Sequence, residues 1–392
     1  MLNLRIFFVY VMMACSAHAA VKGNWKRHII WEGLHNNVAV AADFTGDGKI
    51  DVISNAGSIT RLFVAPNWNQ FIIGSHKDHT FIHGETFDVD NDGDADFIGA
   101  RYQPGLIVWF EQPNKNSTSA LWKTRIAEDE IIGIHGILKA DVNNDGKLDL
   151  LANSAQPKGK FPDSAVWLKV PKNPLSEERW TRHVFANKDA PGLSHYLGAG
   201  DLNGDGLLDI TLAAKGGSQD KSGKGEWFAW WEAGKDPTKP FKKHLLPGTH
   251  PGATNIMPAD VNNDGKVDII AGRGHGTGLI WYENPKWDIH DINTDLMSPH
   301  CLQVGDIDGD GDIDAITCAY VSRKAAWFEN NGKGKFTTHI IHNDQAAYDI
   351  RLVDMDTDGD LDALIAGQQS KNIVWFENPL RNPERPSVNC SI

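Results

Sequence analysis

"DVNNDGKLDLL" (residues 141–151) sets Asp141, Asn143, Asp145 and Asp149 in one short loop, with Gly146 at its bend, and then runs straight into an apolar strand. Nearly the same string returns as "DVNNDGKVDII" at residues 260–270, carrying Asp260, Asn262, Asp264 and Asp268. Relaxed to DxDxDGxxD, with Asn or Thr allowed third, the pattern occurs seven times. The other copies hold Asp43, Asp47 and Asp51; Asp88, Asp90, Asp92 and Asp96; Asp201, Asn203, Asp205 and Asp209; Asp306, Asp308, Asp310 and Asp314; and Asp354, Asp356, Asp358 and Asp362. Copies lie roughly 45 to 60 residues apart, the unit length of a four-stranded propeller blade.

The rest of the unit repeats as well. A short apolar strand such as "GILKA" precedes each loop, and a second such as "LDLLAN" follows it. A third is built around Trp ("LIVWFEQP", "LIWYENP", "IVWFENP"), and a fourth reads "WTRHVF", "FKKHLL" or "WDIHDI". Alternating large apolar residues bounded by Gly, Pro and Asn predict strands, and no helical period is sustained anywhere. The last unit lacks its fourth strand, while "NWKRHII" (residues 24–30) stands unpaired before the first. The expectation is an all-β, seven-bladed propeller over residues 20–392, closed when the N-terminal strand completes blade seven and removes the exposed sheet edges.

Carboxylates at alternate positions of a tight loop form the oxygen cage that a hard cation such as Ca²⁺ prefers. The competing reading is a metal-free turn stapled by Asp and Asn side chains. The seven loops resemble those of FG-GAP and VCBS repeats, over nearly the whole mature chain. That resemblance implies a propeller with structural calcium.

The first twenty residues, "MLNLRIFFVYVMMACSAHAA", show one Arg, an apolar run and an A-x-A ending, which predicts a signal peptide over residues 1–19 and a periplasmic or secreted protein. The apolar run is too short for a membrane span, so no membrane insertion is expected. Cys301 and Cys318 flank one predicted hairpin, and either a disulfide or two buried thiols suits them. A formal net charge of −13 argues against nucleic acid. Calcium in all seven loops would add about +14, so an anionic partner is not excluded. A monomer is expected.

Each acidic loop joins the first and second strands of its blade, so residues before the first strand and after the second emerge together at the opposite end. Entering the inner strands are His83, His135, His195, Asn255, His300 and Tyr348, with His35 out of register; leaving the second strands are Arg101, Tyr102, Asn153, Lys215, Arg273, His275, Tyr320 and Arg323. Two longer inserts, residues 153–165 and 215–227, lie at the same end. His28, His183, His244, His290 and His339 instead recur at one place in the outer strand, which predicts packing. The inner-strand set changes type from blade to blade, as a pocket would.

Three functions fit. In a carbon-oxygen lyase acting on uronic-acid oligo- or polysaccharides, a base removes the proton beside a carboxylate, cations neutralise it and an acid assists the leaving oxygen. Arg101 and Arg273 would be the clamp, His135 or His195 the base, and Tyr102, Tyr320 or Tyr348 the acid, with His83, His300 and His275 nearby. The chain also resembles the propeller of aldos-2-ulose dehydratase and the propeller-type lyases and dehydratases acting on ulvan fragments. That resemblance implies saccharide elimination and a divalent metal held by axial His. The alternatives are a non-catalytic propeller binding glycan or protein, and a hydrolase with Zn²⁺ on His83, His135, His195 and His300.

Overall fold

The computed structural model describes residues 24–113, 118 and 120–381. The signal-peptide reading, Cys390 and the Pro-rich tail lie outside them. The described residues form seven antiparallel sheets of four strands each, as the repeat predicts. No helix among them is long and apolar enough to cross a membrane.

Why each blade forms is visible in its second strand. "DITLAA" (β15, Asp209–Ala214) is buried at all six positions, because both of its faces are covered by neighbouring blades. Seven hydrophobic clusters follow, one per blade boundary; Trp167, Phe185, Leu212 and Trp231, for instance, join blades three and four, and Phe63, Leu364 and Trp375 join blades seven and one. The ring closes where expected, but the strand begins two residues later. β1 (Lys26–Glu32) runs antiparallel to β28 (Asn372–Glu377), with Lys26 opposite Glu377, while Trp25 packs against the core.

The outer-strand histidines do pack. Each lies directly opposite the third-strand Trp of its own blade and stacks on it: His28 on Trp375 at 4.0 Å between ring centroids, His183 on Trp167 at 4.2 Å, His244 on Trp230 at 4.1 Å, His290 on Trp281 at 4.4 Å and His339 on Trp327 at 4.6 Å. In four of the five the far ring nitrogen meets a Glu two residues past that Trp, as His244 Nε2 meets Glu232 at 2.7 Å. Blade two substitutes Arg125, which lies over Trp109 and bonds Glu111. Cys301 and Cys318 face each other across paired strands, and both are free, buried thiols.

The acidic loops share one backbone. Their fourth residue takes a left-handed conformation, from Asn144 at φ 57° to Gly309 at 75°, with Thr357 at 63° as the β-branched exception. The sixth residue, Gly in all seven, is left-handed too.

Candidate functional site

At the acidic end, the first Asp of each loop accepts backbone N–H groups from positions five and six, as Asp141 does from Asp145 and Gly146 at 3.0 and 2.8 Å. The ninth Asp is buried. One of its oxygens accepts an N–H from its own loop and the other an N–H just past the third strand, as Asp268 does from Val261 at 3.1 Å and Asn284 at 2.8 Å. These carboxylates therefore staple the blade whether or not a cation is bound.

The third position separates the loops. In Asp88/Asp90/Asp96, Asp306/Asp308/Asp314 and Asp354/Asp356/Asp362 one carboxylate oxygen from each of positions one, three and nine lies within 4.8 Å of the others. Burial, reinforced by the neighbouring carboxylates, pushes Asp96, Asp314 and Asp362 up to about 8. Where the third residue is Asn, the ninth Asp is pushed less, Asp149 to about 7 and Asp209 and Asp268 to about 6. In one such loop the Asn143 amide donates directly to Asp149 at 3.1 Å, so an internal N–H stands where the all-Asp loops gather only oxygen.

At the other end the ring axis is occupied by imidazoles. His135 and His195 stack with centroids 3.8 Å apart, and His195 Nε2 lies 3.1 Å from His275 Nε2. The His300 ring is 5.0 Å from that of His275 and stacks on Tyr348 at 3.7 Å, which in turn touches Tyr320. Two strand irregularities aim these groups. The β14 register (Ser194–Gly200) shifts between Ser194 and Leu197, sending both His195 and Tyr196 toward the axis, and that of β22 (Pro299–Gly305) shifts at His300. Gly274 allows the loop bearing His275 to press against His300, since a Cβ there would sit 2.7 Å from the His300 Cα.

The tautomers follow from the partners. His195 Nδ1 faces the Leu193 carbonyl at 3.1 Å, so that nitrogen carries the proton, while His300 Nδ1 lies 3.4 Å from both the Tyr348 carbonyl and the Tyr196 hydroxyl. The His195 Nε2 lone pair then faces His275 Nε2. His300 Nε2 and His135 Nδ1 are buried with no partner among the described residues. One ring nitrogen from each of His135, His195 and His300 lies within 4.8 Å of the others. Burial, with neighbouring imidazoles adding to it, holds these three well below the ordinary histidine range, and His275 falls to about 4. All four are therefore neutral donors near pH 7, the state in which imidazole ligates a metal or accepts a proton.

Several expected partners are elsewhere. Arg101 donates to Asp78 at 3.0 Å. Arg273 reaches the Thr277 carbonyl and His250, both at 3.3 Å. Neither guanidinium is held toward the imidazoles, because each found an acceptor on its own side of the ring. Lys215, half-buried and lowered by that burial, also has an acceptor of its own, donating to Gln219 at 3.0 Å, and its charge adds to what keeps His135, His195, His275 and His300 neutral. His83 also drops out of the metal set, its ring nitrogens facing Arg351 at 3.0 Å and the Ile137 N–H at 3.2 Å. Arg351 in turn bonds Glu85 at 3.1 Å and pairs with Asp349 at 3.3 Å, joining blades two and seven below the cluster. Asn255 is a tie between blades, donating to the His300 carbonyl. Tyr102 remains at the edge, its ring 5.9 Å from that of His135 and its hydroxyl 2.6 Å from Gln156 of the first insert.

Such a ring of blades, each carrying an acidic loop on one end, defines a β-propeller of repeated acidic-loop blades. The chain belongs to the FG-GAP-like repeat family, whose model matches residues 88–152, 201–271, 260–317 and 306–365. No curated protein matches it by sequence. Among solved structures, a streptogramin B lyase superposes with TM-score 0.61 at 11% identity, covering 92% of this chain and 99% of its own. Virginiamycin B lyase from Staphylococcus aureus superposes at 0.59 and 10%, covering 90% and 99%. BBS1N, solved in complex with ARL6DN, also superposes at 0.59 and 10%, covering 91% and 97%. At these identities the likeness concerns the fold alone.

Proposed function

We propose that this protein is an exported carbon-oxygen lyase whose centre is the His135/His195/His275/His300 cluster, acting on saccharides that contain a uronic acid. The observation supporting this most is the convergence of three buried imidazoles, His135, His195 and His300, in which His135 Nδ1 and His300 Nε2 have no partner among the described residues, with His275 against His195. The donor set of His135, His195 and His300 fits a divalent transition metal such as zinc, without His83. Such an ion, when bound, would polarise the substrate carboxylate and ease loss of the adjacent proton.

The chain's own residues supply the rest. Lys215 faces the carboxylate and offsets its charge. Whichever of His135 and His195 keeps its lone pair free of the ion, unprotonated because it is buried, accepts the proton beside the carboxylate. Tyr348, stacked on His300, or Tyr102, at the edge, donates to the departing oxygen. Calcium in the three all-Asp loops belongs to the scaffold. The test is incubation with ulvan fragments and other uronic-acid saccharides, following the ultraviolet absorbance of a carboxylate-conjugated double bond. Absorbance should rise, and Lys215→Met should raise KM about tenfold. A flat trace with glycan binding retained would favour the binding module, a role consistent with a fold that BBS1N also uses in a complex.

A further inference from the structure

Between blades one and two, at the imidazole end, lies a hollow of about 390 Å³ lined in part by Asn36, Asn37, Arg101, Tyr102 and Gln103. Its size suits a small ligand. Three observations say which kind.

The first is an excess of acceptors. Asn36 is only 1% exposed, and its amide nitrogen is committed to the Asn372 carbonyl at 3.1 Å. Its Oδ1 is buried without a partner among the described residues, as is that of Asn37. Buried carbonyl oxygens of this kind require hydrogen-bond donors from a guest or from water. The second is neutrality. Arg101 is closed off by Asp78, and His35, also at the wall, is lowered by burial and by Lys371. The third is continuity, because Tyr102 walls the hollow on one side and touches His135 on the other.

We infer that the hollow is a subsite for an uncharged, hydroxyl-bearing sugar unit adjoining the acidic one. Resting on the lyase reading for the acidic unit, this narrows the substrate to saccharides in which uronate and neutral sugar are neighbours, and disfavours runs of uronates.

Titration calorimetry on the full chain tests it with glucuronic acid, a glucuronosyl-xylose disaccharide, galacturonic acid and digalacturonic acid. The mixed disaccharide should bind about tenfold tighter than glucuronic acid, and the diuronic acid should gain nothing over galacturonic acid. Asn37→Leu should erase the tenfold gain while leaving glucuronic acid affinity unchanged, and the smaller Asn37→Ala should do the same. A gain that survives both variants, or no gain, overturns the subsite while leaving the imidazole centre intact. If glucuronic acid does not bind, the lyase reading fails by itself. Methyl xyloside then decides: shifts of the Asn36 and Asn37 side-chain amide resonances support the hollow as a sugar site, and unshifted resonances show that it holds water only.

Discussion

The two ends of the propeller are built from the same seven units under opposite rules. At the acidic end every blade repeats one loop, with the same left-handed fourth and sixth residues and the same stapling by its first and last Asp. At the other end the blades vary in type, and four imidazoles meet on the axis, His195 and His300 from inner strands, His135 from the segment just before one and His275 from a loop. Repetition marks what each blade needs to fold. Departure from repetition marks what only one copy per molecule is required to do.

The sharpest break of this contrast is to delete an imidazole. His195→Ala should lower elimination activity more than a hundredfold, and glycan turnover with melting temperature measured together would show whether the axial end tolerates the loss structurally. Withdrawing the calcium proposed for the all-Asp loops attacks the other end. Each of the three all-Asp loops should lose about 2.7 kcal/mol at a hundredfold excess of Ca²⁺ over Kd. Chelation should therefore lower the melting temperature strongly, Asp308→Ala should forfeit about a third of that response, and Asn143→Ala should leave it unchanged.

Acid separates the ends further. His275 has a folded value near 4 against an ordinary one near 6.5, so the unfolded chain binds the extra proton first. Its contribution to stability is complete above pH 6.5 and is lost as pH falls from there toward 4. His275→Gln should flatten the stability profile across that window relative to the parent, measured by denaturant unfolding. The smallest effect belongs to Thr357→Gly, which relieves the one β-branched left-handed residue of the loops and should stabilise by about 1 kcal/mol.

The same contrast explains how much could be read from sequence. Strand order, blade number, ring closure and the stacking role of the outer histidines were legible because each is written several times over. The axial end was legible only as a list of residues entering and leaving strands. Residue types alone do not single out Tyr196, because an alternating strand would turn it away from His195; the register shift in β14 turns both inward. Arg101 and Arg273 were placed at the correct strand ends, but a strand end does not say which acceptor a long side chain will find, and Asp78 and His250 were nearer. Lys215 went unassigned for the converse reason, since its influence on four imidazoles depends on their convergence.

The pairing of β1 with β28 also bears on how the molecule is made. His28 meets Glu377 across 349 positions of chain, so the last boundary between blades cannot seal until nearly the entire polypeptide is available. Contacts of such separation slow folding, because the loop they close must be organised first. During synthesis six blades have their partners in order while the opening strand waits for the last. The interval before that strand docks is when an unpaired edge is exposed to other chains, and a chaperone or rapid completion of the seventh blade has the most to protect.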